Sequence, residues 1–396
     1  MDRRRPTIAD VARTARVSVG TVSNYLNGTA NVRPETKSRI DQAVQDLAYR
    51  RSTFARALSL GGVLRVSEHR STMPRLVVVG YISVDYMCRV DVLPHRDDRV
   101  TAQRIEKALG GPAANLAVAA AGIGSNGTFG MDVELATALG DDPDSDWALG
   151  ELARKGVHAF PIRRPVNNRL SRCIVFIEPN GSRTIVNEPF ELSDVDLADH
   201  VRLAPEERPR CLHIEGYHYE RMHESIERFR QAGWKITLHS AGLPASARTP
   251  EGFMDIVARC DVTFAGHALI REIFDFRMSD EELPHAVADR LSKMKARGHF
   301  VLTLGPSGAV VFPAEGSAPV RAAALPVRVI DATGAGDSFA GVFLAYWLNG
   351  ASLEAAARFA AAAGSLTTTA EGAQGAVASH EDLLASLADR PLRRAS

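Results

Sequence analysis

The stretch Asp331-Ala332-Thr333-Gly334-Ala335-Gly336-Asp337-Ser338-Phe339-Ala340-Gly341 decides the reading of most of this 396-residue chain. Small residues lead into a helix whose apolar side carries Phe339, Val342, Phe343, Tyr346 and Trp347. Backbone N–H groups gathered at such a helix start form an anion site. A carboxylate placed there would repel phosphate. It makes sense if Asp337 takes the proton of a hydroxyl whose oxygen attacks a phosphoryl group held by the same N–H groups. A lone Asp near a helix start is commonly just a partner of the helix dipole. The surrounding glycines favour the phosphate reading.

Working outward, strands and helices alternate. Arg75–Gly80 reads as a buried strand, as do Cys211–Ile214, Trp234–Leu238, Asp261–Phe264, Phe300–Leu304 and Ala309–Phe312. Helices are expected at about 193–200, 219–232, 266–274 and 279–297. This order implies a mostly parallel sheet with helices on both faces. Two segments depart from it: Asp85–Lys107 and Leu170–Val186 alternate like exposed antiparallel strands, with a turn at Pro179-Asn180-Gly181. A small sheet standing off the main one would be a lid over a cleft. A second glycine motif, Gly110-Gly111-Pro112-Ala113-Ala114-Asn115, lets the backbone approach a ligand closely and puts Asn115 in the first turn of a helix. Alone it is weak, because glycines before an alanine-rich helix are often only a tight turn.

The first 60 residues differ in kind. Thr7 starts a helix with Ile8, Val11, Ala12 and Ala15 on one side, and Arg16-Val17 makes a tight turn. Ser18 caps a second helix running to Leu26, which Asn27-Gly28 ends. A third runs from about Pro34 to Ala48. Two short helices joined by a tight turn and braced by a third form a helix-turn-helix. Gly61 to Met73 is polar and without period and reads as a linker.

Composition bounds the rest. Hydrophobic residues make up 45% and charged residues 24%, an ordinary globular balance that excludes a wholly disordered chain. No apolar run approaches the ~18 residues of a spanning helix, and the polar start at Met1–Pro6 carries no leader, so a cytoplasmic protein without membrane partners is expected. Cys88, Cys173, Cys211 and Cys260 are widely spaced and read as reduced, buried thiols, not zinc ligands. The net charge of zero conceals an asymmetry. Residues 1–60 hold eleven Lys+Arg against five Asp+Glu, and the remainder thirty-six against forty-two. A head of +6 on a body of −6 suggests that the head meets a polyanion.

"TIADVARTARVSVGTVSNYLNG", followed by "VRPETKSRIDQAVQDLAY", resembles the DNA-binding headpiece of the LacI repressor family. The resemblance implies that Ser18–Leu26 lies in the major groove, with Val19, Gly20 and Asn24 at base-reading positions. Thr7, Ser18, Thr21, Ser23, Asn27 and Arg33 are implied as phosphate contacts, which position without specifying sequence. Ser52–Leu58 matches a hinge helix that pushes Leu58 into the minor groove, although Arg51 stands where the family usually has proline. The alternative is a linker helix whose Leu58 packs on its own domain.

The LacI family's usual two-lobed sugar-binding body does not follow. "DATGAGDSFAG" and "GGPAANLAVAAAGIG" instead resemble the PfkB (ribokinase-like) carbohydrate kinases over residues 74–390. That likeness implies an α/β fold: a ribokinase-like, mostly parallel sheet flanked by helices, with a small β lid, preceded here by the all-α helix-turn-helix headpiece of residues 1–60 and the linker 61–73. It implies phosphorylation of a sugar or nucleoside hydroxyl by ATP with Mg²⁺. Asp337 is implied as catalytic base and Gly334, Ala335 and Gly336 as the anion hole. Asp85, Gly110, Gly111, Asn115 and Glu215 are implied as sugar contacts, and Thr303, Gly305, Gly308 and Gly372 as nucleotide contacts. Groups around Asp331 and Thr333 hold a monovalent cation such as K⁺ in some members, and Asn180–Arg183 matches the lid turn. No dedicated metal-ligand set is expected within the chain.

The sequence departs from the kinase pattern where the family usually has Asn-x-x-Glu, residues that help place Mg²⁺ and phosphate. Gly266 and Leu269 occupy those positions, and His239 stands where Asn is common. Three readings follow: a sugar-responsive regulator with an active kinase body, a regulator whose body only senses, and a metabolic kinase with a vestigial or tethering head. A homodimer paired through the lid segments 85–107 and 170–186 is expected, because one headpiece offers few base contacts.

Overall fold

The computed structural model describes residues 8–27, 32–46, 73–124, 129–163, 169–179, 183–188, 196–203, 206–293, 298–314 and 316–388. The chain divides into two compact units, residues 1–67 and 68–396. Among the described residues no helix is long and apolar enough to cross a membrane.

The first unit holds α1 (Ile8–Ala15), α2 (Val19–Asn27) and α3 (Pro34–Asp46). Val11, Ala12, Ala15, Val22, Ile40 and Ala43 form its core, one small side from each helix. Arg16, at φ 52°, turns the chain between α1 and α2. The Thr21 N–H donates to Ser18 Oγ at 3.0 Å, so Ser18 caps α2 as its position suggests. The Tyr25 hydroxyl donates to Asp41 Oδ1 at 2.8 Å and ties α2 to α3. The putting together of this unit follows from local signals alone: a cap, a turn and 3.6-residue periodicity. The hinge helix expected at Ser52–Leu58, residues 61–72 of the expected linker 61–73, and Thr7 lie outside the described residues.

The second unit is built on a nine-stranded sheet. Its strands are β1 (Arg75–Val79), β4 (Asp132–Leu139), β5 (His158–Arg163), β8 (Arg210–Glu215), β9 (Lys235–His239), β10 (Val262–Gly266), β11 (His299–Thr303), β12 (Ala309–Phe312) and β13 (Val320–Ala322). The spatial order is β13-β12-β11-β10-β9-β8-β1-β4-β5. All neighbours are parallel from β11 to β5, and β12 and β13 run antiparallel at one edge. Arg75-Leu-Val-Val-Val79 is buried throughout, as a central strand covered on both faces requires.

Helices α4 (Pro112–Gly122), α5 (Pro143–Arg154), α10 (Ala335–Leu348), α11 (Leu353–Thr367) and α12 (His380–Ala388) share one core with one sheet face. On the other face lie α6 (Tyr219–Gln231), α7 (Pro250–Arg259), α8 (His267–Phe274) and α9 (Leu283–Ser292). Helix α10 is apolar nearly all round because α4 and α11 both pack on it.

A second sheet of four strands, β3-β2-β6-β7, stands beside the first. It comprises β2 (Ser83–Arg89), β3 (Arg104–Gly110), β6 (Arg172–Ile177) and β7 (Arg183–Asn187). These are the two alternating segments of the sequence, paired hairpin-wise within each and parallel between β2 and β6. The turn expected at Pro179-Asn180-Gly181 falls on residues 180–182, outside the described set.

Three details differ from the sequence reading. Of the helix expected at 193–200, the described residues 196–200 form a 3₁₀ turn, Leu197–His200, capped by Asp196. The helix expected at 279–297 is Leu283–Ser292. Strand β5 contains Pro161, a residue that argues against a strand; the edge position tolerates it because no partner needs its missing N–H.

Candidate functional site

The carboxyl ends of parallel strands are where open α/β sheets bind ligands. Here they bring Thr303 (β11), Gly266 (β10), His239 (β9), Glu215 (β8) and Tyr81, just past β1, into one row. Beside the Tyr81 end of this row lies a cavity of about 680 Å³, walled on one side by the lid strands. Asp85, Gly111, Asn115, Asp337 and Gly372 line it, together with Tyr81 and Tyr217, which the sequence did not single out.

Asp337 sits in the first turn of α10 and is buried. Gly334, the residue before the helix, has φ +74°, and a Cβ there would stand 2.4 Å from that of Ala373. Only glycine fits both demands. No side chain caps this helix start, and the Ala335 N–H reaches only the Ala332 carbonyl oxygen at 3.5 Å, so the first turn carries N–H groups that its own helix does not satisfy. Asn115 Nδ2 donates to Asp337 Oδ2 at 2.8 Å, and Gln374 Nε2 donates to Asn115 Oδ1 at 2.9 Å. His239 Nδ1 lies 3.5 Å from Asp337 Oδ1. Burial pushes the Asp337 carboxyl above the usual carboxylate range, while His239 and the Asn115 amide act against it.

At the lid end, Asp85 points inward from β2. Ser83 Oγ donates to its Oδ1 at 2.8 Å, and Cys173 Sγ lies 2.9 Å from the same oxygen. Cys173 is the register partner of Asp85 across β2 and β6. Burial raises the Asp85 pKa, opposed by these two bonds. Gly110 backs directly on this carboxylate: a Cβ there would lie 2.2 Å from Asp85 Oδ2. Glu215 is set behind Tyr81 and does not line the cavity. Its Oε2 accepts the Tyr81 N–H at 2.8 Å, and burial holds its pKa well above the ordinary carboxylate value.

Thr303, Gly305 and Gly308 lie outside this lining, on the loop joining β11 to β12. His267 Nδ1 is 3.3 Å from the Thr303 carbonyl oxygen, which places the start of α8 beside that loop. Gly266 brings no side chain to the start of α8, and Leu269 packs into the core, so neither offers a donor or ligand.

Asp331 is one of the groups implied around a monovalent cation. Its Oδ1 accepts from Thr333 N at 2.9 Å, Thr333 Oγ1 at 2.6 Å and Arg183 at 2.8 Å, and its Oδ2 accepts from Gly372 N at 2.9 Å. The guanidinium already neutralises the carboxylate, and its other donors are two backbone N–H groups and the Thr333 hydroxyl. The Asp331 carboxylate is thus satisfied by protein donors alone. Among the described residues no group of three or more His, Cys, Asp or Glu is placed to hold a metal ion. Arg89 pairs with Glu371, so three arginines fasten the lid sheet to the body: Arg89, Arg183 and Arg172, the last on Asp144 together with Lys107.

In the first unit, Ser18, Val19, Gly20 and Arg33 are exposed and Thr21 half-buried. Val19, at 46% exposure, is an apolar residue left in solvent at the front of α2. Ser23, Asn24 and Asn27 belong to α2, but their side chains lie outside the described residues, as do Thr7 and Leu58.

Residues 73–379 match the model of the pfkB family carbohydrate kinases, and residues 7–52 that of the lacI family of bacterial regulatory proteins. An ATP-dependent ribose-1-phosphate kinase of Halopiger xanaduensis is 26% identical over 318 residues, covering 77% of this chain and 95% of that protein. Catabolite control protein A of Staphylococcus xylosus is 49% identical over 53 residues, 13% of this chain and 16% of that protein. The structure of Arabidopsis thaliana ribokinase complexed with ribose and ATP is similar in fold, with a TM-score of 0.63 at 23% identity over 80% of this chain and 99% of that one.

Proposed function

The chain belongs to the pfkB family of carbohydrate kinases and carries a lacI-family head, and from this premise we propose a sugar-responsive DNA-binding regulator whose body transfers the γ-phosphate of ATP to a sugar or nucleoside hydroxyl. One observation carries the catalytic part: a buried carboxylate, Asp337, stands at an uncapped helix start and in the same cavity as Asp85. Asp85, Asn115, Gly110 and Gly111 grip the acceptor hydroxyls. Thr303, Gly305, Gly308 and Gly372 border the nucleotide, which supplies the phosphoryl group. The N–H groups of Gly334, Ala335 and Gly336 hold its terminal phosphate. Asn115 orients Asp337, which takes the acceptor proton as the acceptor oxygen bonds to phosphorus.

A body that only senses is the second reading, favoured by the missing donors at Gly266 and Leu269. A screen of sugars and nucleosides separates the two, with thermal shift and Mg·ATP consumption read in parallel. Turnover with at least one acceptor is expected. A compound that stabilises the fold but is never phosphorylated would establish the sensor.

The tightness of Gly110 against Asp85 makes a sharp prediction. Gly110→Ala should displace the Asp85 carboxylate and weaken acceptor binding by about 10- to 100-fold, the scale of one or two charge-assisted hydrogen bonds. Nucleotide affinity should be unchanged. Calorimetry with each ligand checks this, and equal losses for both would mean general unfolding of the site.

The proposed dimer has a surface to use. On the lid, Ile105, Ile174 and Val186 are 64%, 40% and 55% exposed and border one shallow depression with Tyr86 and Cys88. Such an apolar sheet face suits a second copy of itself.

A further inference from the structure

Along the carboxyl edge of the main sheet, Thr303 and Gly266 stand at the nucleotide end and Glu215 and Tyr81 at the acceptor end. His239 is the residue between them, where a phosphoryl group would cross. Its two nitrogens face different things. Nδ1 is 3.5 Å from Asp337 Oδ1, and Nε2 is 4.0 Å from the point a Cβ on Gly336 would occupy. Nε2 has no hydrogen-bond partner among the described residues.

The surroundings leave His239 as the group able to gain charge there. From β8, His213 faces it with ring centroids 6.5 Å apart, and Glu215 is its register partner. His213 is held neutral by full burial and bonds Thr237 Oγ1 at 2.9 Å. Burial pushes the Glu215 carboxyl well above the ordinary carboxylate range. From β10 the facing residue is Phe264, which cannot titrate. From α10 it is Asp337. The lid arginines are already paired, Arg183 with Asp331 and Arg89 with Glu371.

We propose that His239 is a phosphate-facing catalytic residue that takes up a proton when a terminal phosphate enters the Gly334–Gly336 hole, donating Nε2–H to it and Nδ1–H to Asp337. This rests on the kinase reading above. Burial keeps the imidazole neutral in the empty site. A phosphate beside Nε2 adds a second negative group to Asp337 and reverses that balance. The imidazolium then keeps Asp337 ionised against its own burial. As the acceptor O–P bond forms, the bond from phosphorus to the leaving nucleotide oxygen breaks with its electron pair. The acceptor proton goes to Asp337, and His239 retains both of its own. The charge that Gly266 and Leu269 cannot help to place is thus met by the sheet.

The test is calorimetry of the full chain with Mg·ADP and with a non-hydrolysable Mg·ATP analogue, in buffers of different ionisation enthalpy. The wild type should take up more protons with the triphosphate than with ADP, and bind it more tightly as pH falls, up to about tenfold per pH unit. His239→Asn should bind both nucleotides with the extra uptake gone and the pH dependence flattened to that of the free nucleotide. His239→Gln serves if the Asn variant does not fold. Equal proton counts in wild type and variant would overturn the role of His239. Failure of the wild type to bind either nucleotide would overturn the kinase reading itself, and this inference with it.

Discussion

Asp337→Asn is expected to lower kcat by about 10²–10⁴-fold while leaving acceptor and nucleotide affinities nearly intact. The variant keeps the shape of the site. Asn115 Nδ2, now 2.8 Å from Asp337 Oδ2, can still donate to an amide oxygen, and the buried helix start is undisturbed. What disappears is the group that accepts the acceptor proton. The wild-type pH profile should carry the same signature. Burial raises the Asp337 pKa, so the carboxyl is protonated, and inactive as a base, up to a higher pH than an ordinary carboxylate. In kcat/KM, which reports the free enzyme, the profile should therefore rise with pH through an acid limb lying above the usual carboxylate range. Single-turnover rates and binding isotherms for both proteins check this. An Asn variant that turns over like the wild type would remove Asp337 from the chemistry.

DNA affinity is expected to fall by about 10³-fold or more between 50 and 200 mM salt, the range found when six to ten phosphates are contacted. The head's excess of eleven Lys+Arg over five Asp+Glu supplies this term. Two heads brought together by lid pairing would double it. Non-specific DNA should show nearly the same slope, since phosphate contacts carry no sequence information. A slope close to zero, or a chain that stays monomeric on DNA, would leave the head as a tether. Coupling to the body has its own reciprocal check. If the acceptor sugar changes operator affinity, operator must change sugar affinity by the same factor.

The parts of the molecule legible in the sequence are those governed by neighbours in the chain. Ser18 caps α2 because its oxygen reaches an N–H three residues on. Gly334 is required where φ is +74°. Helix α10 announces itself by the run of small residues that leads into a long apolar stretch, and Asp337 follows because it lies in the first turn of that helix. Sheet pairing was partly legible, through continuous apolar runs such as Leu76–Val79. Strand β4, which opens on polar Asp132 and Glu134, and β5, with Pro161, escaped notice because their pairing to β1 and to each other outweighs their local preference.

The sequence by itself therefore determined two units, a helix-turn-helix head and an α/β body with a glycine-lined helix start and an acid in its first turn. Only the tertiary structure decided what surrounds that acid. Asn115 and Asp337 are 222 positions apart and Cys173 and Asp85 are 88 apart, yet each pair shares a short contact. Likewise, nothing near His239 in the chain indicates that it faces Asp337, or anything near Arg183 that it meets Asp331. Backbone geometry and periodicity act over a few residues and can be read along the chain. Strand register and lid placement come from burying two sheet faces at once, and they fix which distant side chains share a dry cavity.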